Sequence, residues 1–151
     1  MSDPTRTVTI VKILLTITSL EFFGPIFRDY SPSHAFNPTW VGHARLHLVW
    51  LLGFMLLSGL ANVYLIWFRR PREIGNLRLS MLWQGCNLGG FWIAFRLASS
   101  YGGVITMPDT HVHILGHDEN VFVFAILTAI LVSAVALLGT AGARDDFHAV
   151  D

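Results

Sequence analysis

Asn37-Pro38-Thr39-Trp40-Val41-Gly42-His43-Ala44-Arg45-Leu46-His47 runs without interruption into a long apolar segment that ends near Phe68. Asn is favoured immediately before a helix, and Pro suits the first helical position, where no N–H is needed. The pattern predicts a helix over about 38–68. That is longer than the ~20 residues required to cross the hydrocarbon core of a bilayer, so the helix must tilt or project. On it, His43 and His47 lie four apart on one face, while Arg45 points elsewhere. Ionisable side chains at the start of a membrane-spanning helix are costly, and are read first as functional.

The rest of the composition agrees. Of 151 residues, 53% are hydrophobic and only 13% are charged, with a mean hydropathy of +0.54; soluble domains carry about 25% charged residues. The sequence predicts one all-α domain over 1–151, an integral membrane four-helix bundle with helices over about 8–27, 38–68, 77–97 and 110–138. Zero formal net charge argues against nucleic acid as a partner. Cys86 is alone, which excludes an intrachain disulfide and a Cys-rich metal site. The first apolar run lacks a small-residue cleavage pattern and is expected to be retained as a helix. Arg69, Arg70, Arg72 and Arg78 form the densest positive cluster. The positive-inside rule places that loop, and with four spans both termini, in the cytoplasm, and a bacterial inner membrane is the expected location.

Polar residues interrupt the apolar runs at few places. Lys12 is near enough to the start of the first run to snorkel. Glu21 lies inside it, ahead of Gly24-Pro25, which should bend or end the helix. Glu21 either marks the interface or faces the bundle interior. The third helix carries Gln84, Asn87 and Arg96, and its Gly85 and Gly89 offer a small-residue face for close packing. Gln84 and Asn87 share a face, suited to bonding a neighbouring helix or a substrate. Trp40, Trp50, Tyr64 and Trp67 fit interfacial belts. A second histidine-rich stretch, Asp109-Thr110-His111-Val112-His113-Ile114-Leu115-Gly116-His117-Asp118-Glu119, precedes the last apolar run, whose helix begins at Asp109 or near Asp118. Four antiparallel spans would put six of the seven histidines (34, 43, 47, 111, 113 and 117) on one side, with Glu21, Arg96, Asp118 and Glu119.

Two chemistries suit that set. His43 and His47 can grip a metal from one helix face, and His113 and His117 repeat the spacing if the last helix begins early. Carboxylates from Glu21, Asp118 or Glu119 would complete a site for Zn, Fe, Mn or Cu. His-Glu-x-x-His is absent, so peptide hydrolysis is not expected. The same groups permit metal-free acid–base catalysis by His47 with Glu119, Asp118 or Glu21. Phe22, Phe54, Phe91, Trp92 and Phe124 would wall an apolar substrate, and Arg96, Asn87 and Gln84 would meet its polar part. Haem fits less well, because the histidines cluster with acids and no Cys-x-x-Cys-His motif exists. The expectation is a membrane enzyme acting on a lipophilic small molecule or lipid at a metal-binding, extracytoplasmic site. A metal-free isomerase or cyclase, and a non-catalytic membrane subunit or assembly protein, are the alternatives. A homo-oligomer is compatible with each.

The run Phe36-Asn37-Pro38-Thr39-Trp40-Val41-Gly42-His43-Ala44-Arg45-Leu46-His47 resembles a motif, centred on His-Ala-Arg-x-His, of a family of small four-span membrane proteins from bacteria and fungi. The resemblance implies the four-span architecture and carries no activity with it. In architecture alone the chain is distantly similar to the sterol-isomerase and sigma-2-receptor superfamily, whose members use buried acids in a helical bundle on sterol-like ligands. That likeness implies the acid–base alternative, although those proteins have five spans rather than four.

Overall fold

The computed structural model describes residues 4–105 and 112–148. The chain is mostly helical: α1 (Pro4–Thr18), α2 (Leu20–Asp29), α3 (Gly42–Val63) prolonged by a π-helical turn (Tyr64–Phe68), α4 (Glu73–Tyr101) and α5 (Glu119–His148). Three segments, Thr5–Asp29, Gly42–Phe68 and Glu119–Thr140, are long and apolar enough to cross a membrane. The fourth, α4, is the longest before α5 but carries Asn76, Arg78, Ser80, Gln84, Asn87 and Arg96, and its composition does not reach that standard.

The helix ends depart from the expected ones for local reasons. Helix α3 starts at Gly42 rather than Pro38 because Asn37 caps a turn instead. Its Oδ1 accepts from the backbone N–H and the hydroxyl of Thr39, and its amide donates to the Ser33 carbonyl. The last helix does not begin at Asp109, which with Pro108, Thr110 and His111 lies outside the described residues. It begins at Glu119, where Asp118 Oδ1 accepts the Asn120 N–H at 2.9 Å. Before it, His113–Ile114 and His117–Asp118 pair as two short antiparallel strands, β1 and β2, in register His113 to Asp118 and Ile114 to His117. The two residues between them, Leu115 and Gly116, both have positive φ, as a tight two-residue hairpin requires. Among the described residues the fold is thus all-α apart from this hairpin. His113 and His117, expected on one helix face, are strand residues.

The first helix breaks at Ser19, a turn before the expected bend at Gly24-Pro25. The hydroxyls of Thr18 and Ser19 both bond back to the Leu15 carbonyl, at 3.1 and 2.8 Å, competing with the helical ladder. Pro25 follows within α2 and supplies no N–H. The break changes the helix's neighbours, for α1 packs on α5 whereas α2 packs on α3. Gly59 permits the second contact: a Cβ there would stand 2.6 Å from the Phe23 ring. The expected glycine face on α4 is looser. Gly85 has only Leu131 at 3.9 Å, and Gly89 has nothing within 4 Å.

A buried polar knot ties the helices together. Gln84 of α4 is fully buried. Its amide nitrogen lies 3.1 Å from the Leu15 carbonyl, Ser19 Oγ and Ser80 Oγ, and 3.4 Å from Asn62 Oδ1, while its carbonyl oxygen accepts the Thr18 hydroxyl. Ser80 donates to Asn62 Oδ1 at 2.6 Å, and the Asn62 amide donates to the Ser58 carbonyl. Around the knot and on its α1 side sits the apolar core, with Val11, Leu15, Ile66, Leu77, Met81, Leu131 and Leu138 among its members. Lys12 does not merely snorkel: it pairs with Glu73 and lies 5.6 Å over the Trp67 ring, while Trp67 donates to Thr16 Oγ1. At the opposite end Arg28 pairs with Glu119. These pairings make α1–α2 and α4 antiparallel to α3 and α5.

Gln84→Leu leaves Ser19, Thr18 and Asn62 without their shared partner. Each buried group left unpaired costs about 1–3 kcal/mol. The expected outcome is a clear fall in melting temperature in detergent, followed by tryptophan fluorescence, with Gly85→Ala as a near-neutral control.

Candidate functional site

Beyond the knot the bundle opens. With α2 drawn onto α3, and with α3 meeting α4 mainly through the π-helical turn, a space is left between α2, α3, α4 and α5. It is a cavity of about 880 Å³, within the range of small-molecule sites. Its walls are mostly apolar. Phe22 comes from α2, Leu51, Phe54 and Met55 from α3, Trp83, Gly90, Phe91 and Ala94 from α4, and Val123, Phe124 and Leu127 from α5. Phe91 and Phe124 stack with centroids 3.9 Å apart, joining α4 to α5 at the cavity wall. Leu20, Leu51, Phe54, Gly90 and Ala94 line the cavity and are exposed at the bundle surface, so it opens sideways between helices.

Polar groups enter at two levels. One helical face of α2 supplies Glu21, Pro25 and Arg28, each separated by three or four residues. Glu21 is 2% exposed, and both its carboxyl oxygens lack a hydrogen-bond partner. Asn87 on α4 faces that carboxyl without closing a bond of normal geometry. About two turns along, roughly 10 Å at 1.5 Å per residue, the ion pair of Arg28 with Glu119 stands beside Asp29 and Asn120. Asp29 is 3.8 Å from His34. The deep end therefore holds one unpartnered carboxyl, and the other end holds charges that are already matched.

The cavity joins Glu21, Glu119, Asn87, Phe54, Phe91, Phe22 and Phe124, all expected from the sequence to belong to one site. It does not join the histidines. His43 and His47 are exposed on the first turns of α3, with their Nε2 atoms 3.0 Å apart. His113 and His117 are exposed in the hairpin, and Asp118 is there too. Among the described residues no three metal-ligating side chains converge. The helical repeat proposed for His113 and His117 fails because that segment forms strands. Gln84 is absorbed by the knot, Arg96 is exposed away from the cavity, and Trp92 donates to Thr128 Oγ1 at 3.0 Å between α4 and α5. Sequence reasoning overlooks Arg28 and Asp29, which lie just past the expected helix end at about 27 and within α2 here. The spacing of Glu21 and Arg28, seven apart and so on one helical face, was the available signal. No protein-family model, curated protein or solved structure matches the chain.

An unpaired carboxyl in an apolar wall is a cost that folding alone does not require. Glu21→Met is expected to raise the melting temperature of the ligand-free protein, and Glu21→Gln to leave it near or below that of Glu21→Met. A fall in both variants would show that the carboxyl has a stabilising partner within the fold.

Proposed function

We propose that the protein is a membrane enzyme which binds a lipophilic small molecule in the α2–α5 cavity and moves a proton on it through Glu21. The observation that carries this reading is the unpartnered Glu21 carboxyl at the deep end of an otherwise apolar cavity. Such a group is completed by a ligand that brings a hydrogen-bond donor or a proton-accepting centre. A carboxyl in this position can give a proton to one carbon of a double bond and take one from the carbon next to the bond's far end, so that the double bond moves one position with no net consumption of protons. Asn87 offers both a donor and an acceptor with which to orient a polar group of the substrate. The exposed lateral opening favours entry from the bilayer, where such substrates dissolve. A metal-assisted reaction at the histidines has less support, because the groups expected to complete that site stand apart.

The proposal includes four membrane crossings, with α4 as the fourth. At about 43 Å for 29 residues, α4 exceeds the ~30 Å hydrocarbon thickness. Of its polar side chains, Gln84 and Ser80 are sealed in the knot, while Arg78 and Arg96 lie toward its two ends. The cluster Arg69, Arg70, Arg72 and Arg78 supports a cytoplasmic position for the α3–α4 loop and both termini. The Arg28–Glu119 end of the cavity then faces the extracytoplasmic side.

Two measurements check this. In a Cys86→Ser background, Ser100→Cys is expected to react with an impermeant thiol reagent in intact cells, and Arg70→Cys only after lysis. The opposite pattern reverses the topology. For the chemistry, purified protein is incubated in D2O with a total membrane-lipid extract, and the lipids are examined by mass spectrometry. At least one species is expected to gain deuterium with wild type and not with Glu21→Gln or the cavity-filling Ala94→Trp. If no species exchanges, but a lipophilic molecule copurifies with wild type and is lost from Ala94→Trp, the cavity binds without catalysing.

A further inference from the structure

The histidine pair on α3 has a geometry of its own. His43 and His47 lie four residues apart in the first two turns, both are exposed, and neither lines the cavity. Their Nε2 atoms are 3.0 Å apart, and their ring centroids are 4.5 Å apart with the planes at 86°. Two arrangements would bring these nitrogens together. In a straight N–H···N hydrogen bond each ring points at the other, and nitrogens 3.0 Å apart place the centroids about 5.3 Å apart. In a chelate both nitrogens point at a third position about 2.05 Å from each. The nitrogen separation then gives an angle of about 95° at that position and a centroid separation of about 4.7 Å. The observed centroid separation of 4.5 Å lies nearer the chelate value: in the metal-free protein the rings share a bent N–H···N hydrogen bond, and an ion would take the place of that proton, the donor ring becoming its Nδ1–H tautomer.

Ligand number and affinity select among metals. Zinc sites draw three or four ligands from the protein, and among the described residues no third ligating side chain joins these two imidazoles. Two imidazoles completed by water suit a square-planar or tetragonal site, the preference of Cu(II) and Ni(II), and of these Cu(II) binds imidazole more tightly. We infer that His43 and His47 form a two-imidazole chelate for Cu(II), separate from the cavity and exposed to water at one end of α3. Water or an external ligand completes the coordination. Trp50 stacks on His47 with centroids 5.9 Å apart and planes at 27°, so it stands next to the ion.

The test uses full-length protein purified without a histidine tag and stripped with chelator. It is titrated with Cu(II) buffered by glycine, and followed by tryptophan fluorescence and electron paramagnetic resonance. One equivalent is expected to bind, with hyperfine coupling from two nitrogens and with quenching that Trp50→Phe reduces while binding persists. His43→Ala and His47→Ala should each weaken binding at least tenfold, and Arg45→Gln should leave it unchanged. The paired change His113→Ala and His117→Ala should also leave it unchanged. Equal binding by wild type and the His43→Ala, His47→Ala double variant overturns the inference. So does loss of binding on removal of His113 and His117, which would make the site a shared one. Because neither histidine touches the cavity, the Glu21-dependent exchange reaction succeeds or fails independently of this result.

Discussion

The polar knot at Gln84 is the constraint on which the rest of the molecule depends. In a membrane interior no water is available to satisfy a polar group, so each must find its partner within the protein. Gln84, Asn62, Ser80, Thr18 and Ser19 meet that demand together, drawing on α1, α3, α4 and the α1–α2 junction. Thr18 and Ser19 serve twice, since their hydroxyls also bond back along their own helix where it breaks. The break hands the chain from α5 to α3, and the departure of α2 from α5 leaves the cavity. Satisfaction of polar groups at one level thus creates space at the next.

Against that background Glu21 stands out by contrast. It lies two residues beyond Ser19 and is as deeply buried as the knot, yet its carboxyl oxygens have no hydrogen-bond partner. Within four residues, across the helix break, the protein satisfies two hydroxyls and leaves a carboxyl facing a mostly apolar space. Stability does not account for such a group, and it is the observation behind the proposed ligand role. The charges at the two bundle ends are ordinary by comparison. Lys12 with Glu73 and Arg28 with Glu119 are partly exposed, and such pairs contribute at most about 1 kcal/mol each. They orient the ends more than they hold them. The Arg28 pair has a further consequence, because it docks the end of α2 to the start of α5 across one end of the cavity.

The sequence by itself determined that the chain is helical and made for a membrane, because apolar runs of this length leave few other structures. It also singled out Glu21, Asn87, Phe54, Phe91 and Glu119, since polar residues within apolar helices and aromatics facing a bundle are visible without coordinates. The pairing of His43 with His47 was legible for the same reason: four-residue spacing within one helix is local information. Tertiary structure decided which of these meet. Gln84 and Asn87 share a helix face, yet one is tied into a knot and the other faces a cavity, a difference set by where α2 leaves α5. Whether His113 and His117 lay on a helix turned on two residues with positive φ, Leu115 and Gly116, which end any helical reading of that stretch. The joining of Arg28 to Glu119, 91 positions apart, rests on helix packing alone. Spacing along a chain sets which side chains share a face; only the packing of helices sets what that face meets.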